Sequence, residues 1–266
     1  MRIPIYQLDA FTGTMFRGNP AAVCPLKEWL PDEVMQAVAT ENNLAETAFF
    51  VAGGNGGYAI RWFTPTNEVD LCGHATLASA QVILQFIEPD LRRIAFETRQ
   101  AGTLVVSRAG ADGGELALDF PSRPAMPCDV PADLVRGLGA RPAAVLAARD
   151  YLAVFRRAAD VAALQPDFAT LKTLDRFAVI ATAPGGEDGV DFVSRFFAPA
   201  QGIDEDPVTG SAHCTLIPYW AARLGKTHLE ARQISRRGGE LTCDLHGDRV
   251  SIAGRCVLYL EGTISV

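Results

Sequence analysis

The chain contains few of the residues on which disulfide-bonded and metal-binding proteins depend. Its 266 residues include six cysteines and four histidines. The cysteines are scattered and form no Cys-x-x-Cys pair, so we expect free thiols and no disulfides. The histidines lack the spacing of metal ligands, since even His213 and His228 are too far apart to share one helical face. We therefore predict neither a structural nor a catalytic metal.

Basic runs and long apolar runs are missing as well. The net charge is −7 and the isoelectric point is near 5.1, which argues against nucleic acid or an anionic membrane as a partner. No apolar run approaches the ~20 residues of a membrane span. The first residues, MRIPIYQLDAF, have a strand pattern rather than the regions of a signal peptide, so we expect a cytoplasmic protein.

The chain does contain one motif that occurs twice. The segment RWFTP at 61–65 leads through an acidic loop to DLCGHA at 70–75, and RFFAP at 195–199 leads through another to DPVTGSA at 206–212. The two copies start 134 residues apart, which is close to half the chain. Each copy ends in a glycine followed by small and apolar residues that predict a helix. The offset indicates a duplicated half-molecule.

Flanking segments repeat in the same order. The further matches are 47–57 with 177–189, 102–106 with 239–243, and 116–118 with 250–252. The upstream pair predicts two hairpins, with turns at 53–57 and 184–189. Two copies are too few for a solenoid, so we predict two similar domains that face each other.

A proline-rich segment at 120–127 separates the two halves. Its three prolines can continue neither a strand ladder nor a helix interior, so we place the domain boundary after residue 120. Helix signals are few among many strand patterns and lie at 31–40, 75–87, 131–138 and 212–224. The predicted fold class is therefore α+β, with each half a curled sheet around a central helix.

Three ionisable side chains adjoin the repeated motifs. Glu46 immediately precedes an apolar strand, where partial desolvation would raise its pKa and suit proton transfer, although a strand-start glutamate is commonly just exposed. His74 starts a predicted helix, whose dipole favours a neutral imidazole that bonds either a substrate or the local backbone. Asp206 is either a turn aspartate before proline or, by the repeat, a neighbour of the same cleft as His74.

The two predicted helix starts offer backbone donors. Thr209, Gly210 and Ser211 form either a helix cap or, through the same N–H groups, a carboxylate site. Gly73 stands at the matching turn of the first copy. Related by pseudo-symmetry, the two starts predict an anion-binding cleft between the halves that needs neither a nucleotide nor a metal.

Cys72 separates two mechanisms. A thiol at a helix N-terminus tends to have a lowered pKa, and two such thiols could racemise an amino acid from opposite faces of a carbon. The second motif reads PVTG at the matching place, and Cys214 lies further along, in a core-like stretch. We therefore disfavour a two-thiol racemase and interpret Cys72 as a small packing residue.

Five segments, taken in order, resemble one family. They are DAFT at 9–12, GNPAAV at 18–23, NNLAETAF at 42–49, the first motif at 61–75, and EDPVTGSA at 205–212. Across essentially the whole chain they resemble the PhzF family of phenazine-biosynthesis-like isomerases. The resemblance implies a diaminopimelate-epimerase-like fold of two pseudo-symmetric halves, each a barrel-like β-sheet around a central helix, with the site between them. It also implies that a last strand at 255–266 completes the first half, 1–120, and leaves 121–254 as the second.

The activity that the resemblance implies is a cofactor-free isomerisation of trans-2,3-dihydro-3-hydroxyanthranilate or another small carboxylate. Glu46 would be the acid–base that moves the proton. His74 and Asp206 would hold polar groups of the substrate or assist the proton. Gly73 and Ser211 would donate hydrogen bonds to its carboxylate.

Three hypotheses follow for the function. The first is an isomerase of a small cyclic or amino-acid-like carboxylate that acts through Glu46. The second is an amino-acid racemase or epimerase that uses Cys72, and the third is a metabolite-binding protein without turnover. Asn19, in the GNP turn, either orders the site or only shapes the turn. The resemblance also implies a homodimer and a biosynthetic role.

Overall fold

The computed structural model describes residues 1–54, 56–186 and 189–266. The chain divides into two compact units, which are 1–119 with 253–266, and 120–252. The turns predicted at 53–57 and 184–189 include Asn55, Glu187 and Asp188, which lie outside the described residues.

The first unit contains most of the first half of the chain. Its strands are β1 (Arg2–Ala10), β2 (Asn19–Leu26), β3 (Glu46–Ala52), β4 (Tyr58–Phe63), β5 (Glu68–Val69), β6 (Arg93–Glu97), β7 (Thr103–Ala109) and β8 (Glu115–Pro121). Its helices are α1 (Asp32–Asn42) and α2 (Gly73–Val82), and a π-helical turn, Ile83–Ile87, continues α2. The helices predicted at 31–40 and 75–87 are thus confirmed, although α2 begins two residues earlier, at the glycine.

The second unit has the same kinds of element. Its strands are β9 (Met126–Pro127), β10 (Ala144–Ala147), β11 (Tyr151–Val154), β12 (Val179–Pro184), β13 (Phe192–Ala198), β14 (Ile203–Asp206), β15 (His228–Gln233), β16 (Gly239–His246) and β17 (Arg249–Gly254). Its helices are α3 (Ala132–Leu138), α4 (Ala158–Ala162), α5 (Phe168–Leu171) and α6 (Gly210–Leu224). The last strand, β18 (Cys256–Ser265), belongs to the first unit.

Strand pairing shows that the two units share one topology. In the first, β1 and β2 are antiparallel, β2 and β3 parallel, β3 and β4 antiparallel, β4 and β6 parallel, and β6 and β7 antiparallel. In the second, β10, β11, β12, β13, β15 and β16 pair in the same succession. The short strands β5 and β14 lie antiparallel to β4 and β13. The predicted pseudo-symmetric α+β fold is therefore confirmed.

The first sheet continues beyond this shared part. Strand β18 pairs antiparallel with β1, with a register shift between Gln7 and Leu8, and β7 pairs antiparallel with β8. No ladder in the described part of the chain joins β8 to β18. The barrel-like sheet predicted for this half is therefore not a closed barrel.

One helix occupies the interior of each unit. Eight of the ten residues of α2 are buried, and this helix contacts β1, β2, β3, β7 and β18. Alanine, serine and threonine supply most of its surface, so surrounding strands can approach it from several sides. In the second unit α6 is also largely buried, and Trp220 on α6 donates a hydrogen bond of 3.0 Å to Thr182 on β12. The helix ends at Gly225, whose φ of 69° is the left-handed C-cap conformation that the sequence predicts.

The arginine of each repeated motif binds a glutamate of the acidic loop that follows it. Arg61 is buried and donates two hydrogen bonds to Glu68, of 2.7 and 2.6 Å, and one of 2.8 Å to Asp32. Arg195 donates two hydrogen bonds to Glu205, of 2.7 and 2.8 Å, and one of 2.9 Å to the Leu164 carbonyl. Such bidentate pairs hold the acidic loop of each motif against its sheet.

Among the residues that the structure describes, no helix combines the length and the apolar character needed to cross a bilayer.

Candidate active site

The centre of the candidate site is a buried carboxylate beside a buried imidazole. Glu46 is the first residue of β3, and His74 is the second residue of α2. His74 Nε2 lies 3.1 Å from Glu46 Oε2, and the two side chains are only 6% and 12% exposed. The contact does not have the alignment of a hydrogen bond, and among the described residues neither atom has another hydrogen-bond partner.

The other face of the imidazole contacts an amide and a thiol. Asn19 Nδ2 lies 3.2 Å from His74 Nδ1, and Cys72 Sγ lies 3.5 Å from the same nitrogen. With the amide as donor, Nδ1 accepts and Nε2 carries its proton toward Glu46. Asn19 therefore suits a neutral imidazole with its proton on Nε2.

The charges of this cluster decide its protonation. Burial alone would lower the pKa of His74, but negative charge on Cys72 and Glu46 raises it well above its ordinary value of 6.5. Burial, and after it the Glu46 carboxylate, raises the pKa of Cys72 to about 11. Because that thiol keeps its proton near neutral pH, its negative charge does not act on His74 there. The neutral imidazole predicted from the helix start stays a prediction.

The same three side chains could also share a metal ion. One ligand atom from each of Glu46, Cys72 and His74 lies within 4.8 Å of the others. The spacing of histidines along the chain does not reveal this group, because its members converge from β3 and from the start of α2. The sequence-based argument against a metal considered only local spacing.

The second unit gathers the residues predicted from the second motif. Asp206 ends β14, and its Oδ2 accepts a hydrogen bond of 2.5 Å from the Thr209 hydroxyl. Gln233 accepts from the Thr209 N–H at 2.9 Å and donates to the Asp206 carbonyl at 2.8 Å. Gly210 and Ser211 form the first turn of α6, which has no side-chain cap. These contacts fix the loop that carries Asp206.

Arg149 also reaches the start of α6, and the sequence analysis did not identify it. Its Nη2 donates a hydrogen bond of 3.0 Å to Ser211 Oγ, while its guanidinium lies 4.2 Å from the centre of the Phe177 ring. It also pairs with Asp150, which is buried. Arg149 and Gln233 have no counterpart in the first motif, so the repeat that located the other residues gives no signal for them.

The predicted site residues thus form two groups. Glu46, Cys72, Gly73 and His74 lie together with Asn19 in the first unit, and Asp206 lies with Thr209, Gly210 and Ser211 in the second. That both groups serve one site stays a prediction.

The duplicated topology defines an epimerase-like class of fold. A crystal structure of a hydroxyproline epimerase from Agrobacterium vitis has a TM-score of 0.62 to this chain, at 11% identity, over 99% of this chain and 92% of the other. At that identity the likeness concerns the fold alone.

The family is established by closer matches. The model of the PhzC-PhzF family, described as phenazine biosynthesis-like protein, matches residues 8–262, so the chain belongs to this family. An uncharacterized isomerase of Pseudomonas aeruginosa is 52% identical over 264 residues, which cover 99% of each chain. The crystal structure of a PhzF family phenazine biosynthesis protein from Enterococcus faecalis has a TM-score of 0.95 at 44% identity and covers 100% of both chains. The resemblance seen in the sequence is confirmed.

Proposed function

We propose that this chain is a cofactor-independent isomerase that moves a proton on a small carboxylate-bearing substrate, with Glu46 as the acid–base. The family and its relatives named as isomerases support an isomerase- or epimerase-type function. The observation that carries the finer proposal is the buried pair of Glu46 and His74, whose Oε2 and Nε2 atoms lie 3.1 Å apart. A substrate group beside this pair could exchange a proton with Glu46 and accept a hydrogen bond from His74.

The pair suits a proton shift between two carbons. The Glu46 carboxylate removes a proton from a carbon next to an unsaturated or carbonyl group, and the C–H electrons move into the conjugated system. The Nε2–H group of His74 stabilises the charge that develops there. Protonated Glu46 then returns the proton to the second carbon, so the double bond moves and no atom is gained or lost. A positioned acid–base of this kind contributes about 10²–10⁴-fold to a rate.

The second unit supports a single base rather than two. Arg61 pairs with Phe49 across β4 and β3, and Arg195 pairs with Ala181 across β13 and β12. By this register the position of Glu46 corresponds to Ala178. Likewise, the second residue of α2 is His74, whereas the second residue of α6 is Ser211. The second unit therefore has neither Glu46 nor His74 at the corresponding positions.

A racemase that uses two thiols requires a base in both units. The residue before α6 is Thr209, at the place where Cys72 precedes α2. The raised pKa of Cys72, about 11, also leaves little thiolate at neutral pH. Both observations disfavour the Cys72 racemase.

Backbone groups supply the anion-binding part of the proposal. Cys72 precedes α2 but makes no side-chain cap, so the N–H groups of the first turn, from Gly73 onward, can bind a substrate carboxylate. Thr209 likewise leaves the start of α6 without a side-chain cap. We propose that Asp206 and the N–H groups of Gly210 and Ser211 contribute to the same reaction. A homodimer and a cytoplasmic location stay predictions.

Proton NMR in D₂O tests the proposal. The panel is dihydro-hydroxyanthranilate, proline, diaminopimelate and several α-amino acids, and C–H exchange is followed with wild type, Glu46→Gln and Cys72→Ala. Glu41→Gln is the matched control, because Glu41 is an exposed glutamate near the end of α1. We expect exchange on the cyclic diene or another carboxylate that Glu46→Gln abolishes and that the other two variants keep.

Other outcomes contradict the proposal in different ways. Exchange at an amino-acid α-carbon that requires Cys72 would assign the chain to the racemases. Binding of a panel compound without exchange would favour the metabolite-binding hypothesis. Loss of exchange in Asp206→Asn, with binding retained, would support a role of the second unit in the chemistry, whereas full activity would remove Asp206 from the site.

A further inference from the structure

We infer that Glu46, Cys72 and His74 form a binding site for a thiophilic divalent cation, and that Zn²⁺ bound there inhibits the proposed isomerase. Inhibition rests on the proposed function, but metal binding does not. One ligand atom from each residue lies within 4.8 Å of the others. Because Glu46 lies at Nε2 of His74 and Cys72 at Nδ1, a single ion would bind one of these nitrogens, and the ligand beside the other nitrogen would turn toward it.

The donor set favours zinc over magnesium or calcium. A thiolate, an imidazole and a carboxylate are the three ligand types of zinc proteins, whereas the hard cations prefer oxygen alone. A bound ion displaces the thiol proton of Cys72, and the two negative charges of Cys72 and Glu46 then balance its charge. Three protein ligands leave a fourth position for water or a substrate atom.

The buried contact between Glu46 and His74 provides the second observation. Glu46 Oε2 and His74 Nε2 are both buried and lie 3.1 Å apart, and neither makes an aligned hydrogen bond among the described residues. Both are ligand atoms of zinc sites, and they are close enough together for one ion to bind both. Since its carboxylate would then be a ligand, Glu46 could no longer remove a proton.

Cobalt provides a direct readout that is independent of turnover. Co²⁺ is added to untagged, metal-free protein, and the absorption band of thiolate-bound Co²⁺ is titrated, followed by competition with Zn²⁺. We expect one equivalent of Co²⁺ with a thiolate band in wild type. Cys72→Ala should lose the band and bind Zn²⁺ at least ~100-fold more weakly, because even second-shell changes weaken metal sites by about 10–100-fold.

Cys24→Ala is the matched control. Cys24 is a buried cysteine on β2 outside the cluster, so this variant should keep the band and the affinity. Cys72→Ser, which changes one atom, provides a second variant in case the alanine variant does not fold. The proposed metal site would be overturned if wild type did not bind one equivalent of Co²⁺. It would also be overturned if both Cys72 variants folded and kept an unchanged thiolate band.

The exchange assay then separates the two proposals. With an exchanging substrate, Zn²⁺ should inhibit wild type and Cys24→Ala at the concentration at which it displaces Co²⁺, and a chelator should restore the rate. Exchange that persists with Zn²⁺ bound would overturn inhibition. Metal binding to a chain that exchanges no substrate would leave the metal site standing and count against the isomerase.

Discussion

Acid should destabilise the second unit through His213. This histidine lies on α6, is fully buried and donates a hydrogen bond of 2.8 Å from Nδ1 to the Thr209 carbonyl. Its Nε2 has no hydrogen-bond partner among the described residues. Burial lowers the pKa of His213 from 6.5 to about 4, and the bond to Thr209 offsets only part of that effect.

The direction of the pH dependence follows from the two pKa values. In the unfolded chain His213 gains a proton below about pH 6.5, whereas in the folded protein it stays neutral down to about pH 4. The unfolded state therefore binds more protons between these values, so this stabilisation is complete above pH 6.5 and is lost as the pH falls toward 4. One pKa unit corresponds to 1.36 kcal/mol, so the full loss is about 3 kcal/mol.

Urea unfolding of wild type and His213→Asn measures this effect. The amide of asparagine can still donate to the Thr209 carbonyl but does not titrate. Between about pH 7 and pH 4.5, the free energy of unfolding should fall by about 2.5 kcal/mol less in the variant than in wild type. His228→Asn is the control, because His228 is exposed and its hydrogen bond to Asp244 raises its pKa. Parallel pH profiles for wild type and His213→Asn would refute the reasoning.

Three further predictions concern the first unit. Arg61→Met should lower the free energy of unfolding by about 1–3 kcal/mol in urea, since it removes a buried guanidinium that donates hydrogen bonds to Glu68 and Asp32. The exposed Arg99→Met should change it by less than about 1 kcal/mol. Gly18→Ala should lower it by about 2–3 kcal/mol, because Gly18 has a φ of +66° and a Cβ would lie 2.2 Å from a carbonyl oxygen. Gly54→Ala, with open space around it, should change it by less than about 0.5 kcal/mol. Cys72 should resist alkylation by iodoacetamide at neutral pH and should react only as the pH approaches its pKa of about 11. Peptide mass spectrometry measures the alkylated fraction at each pH. Rapid alkylation at pH 7 would contradict the raised pKa.

The repeat made most of the fold predictable. Glycine turns before small, apolar runs marked the starts of α2 and α6 to within two residues, because those signals are local. The helices α4 and α5 were not predicted, since five and four residues are too few to show a helical period. Whether the sheet closes into a barrel could not be predicted from local sequence patterns either, because closure depends on which distant strands pair.

The sequence indicated which residues belong to the candidate site, but it did not indicate how their side chains are arranged. The motifs pointed to Glu46 and His74 separately, and nothing in the sequence placed their side chains 3.1 Å apart. The pKa of His74 was predicted from its helix alone, whereas the neighbouring Cys72 and Glu46 raise it. Arg149 escaped notice because it comes from the turn between β10 and β11, outside both motifs.

Comparison of the two units separates structural residues from chemical ones. The arginine fork recurs as Arg61 and Arg195 with the same bidentate glutamate partner, and both central helices start at a glycine without a side-chain cap. A feature kept in both copies serves what both copies share, which is the sheet and its buried helix. Glu46 does not recur, since the register places Ala178 at its position. The duplication thus supplies the scaffold twice and the buried pair of Glu46 and His74 once, which supports the proposal that Glu46 both removes and returns the proton.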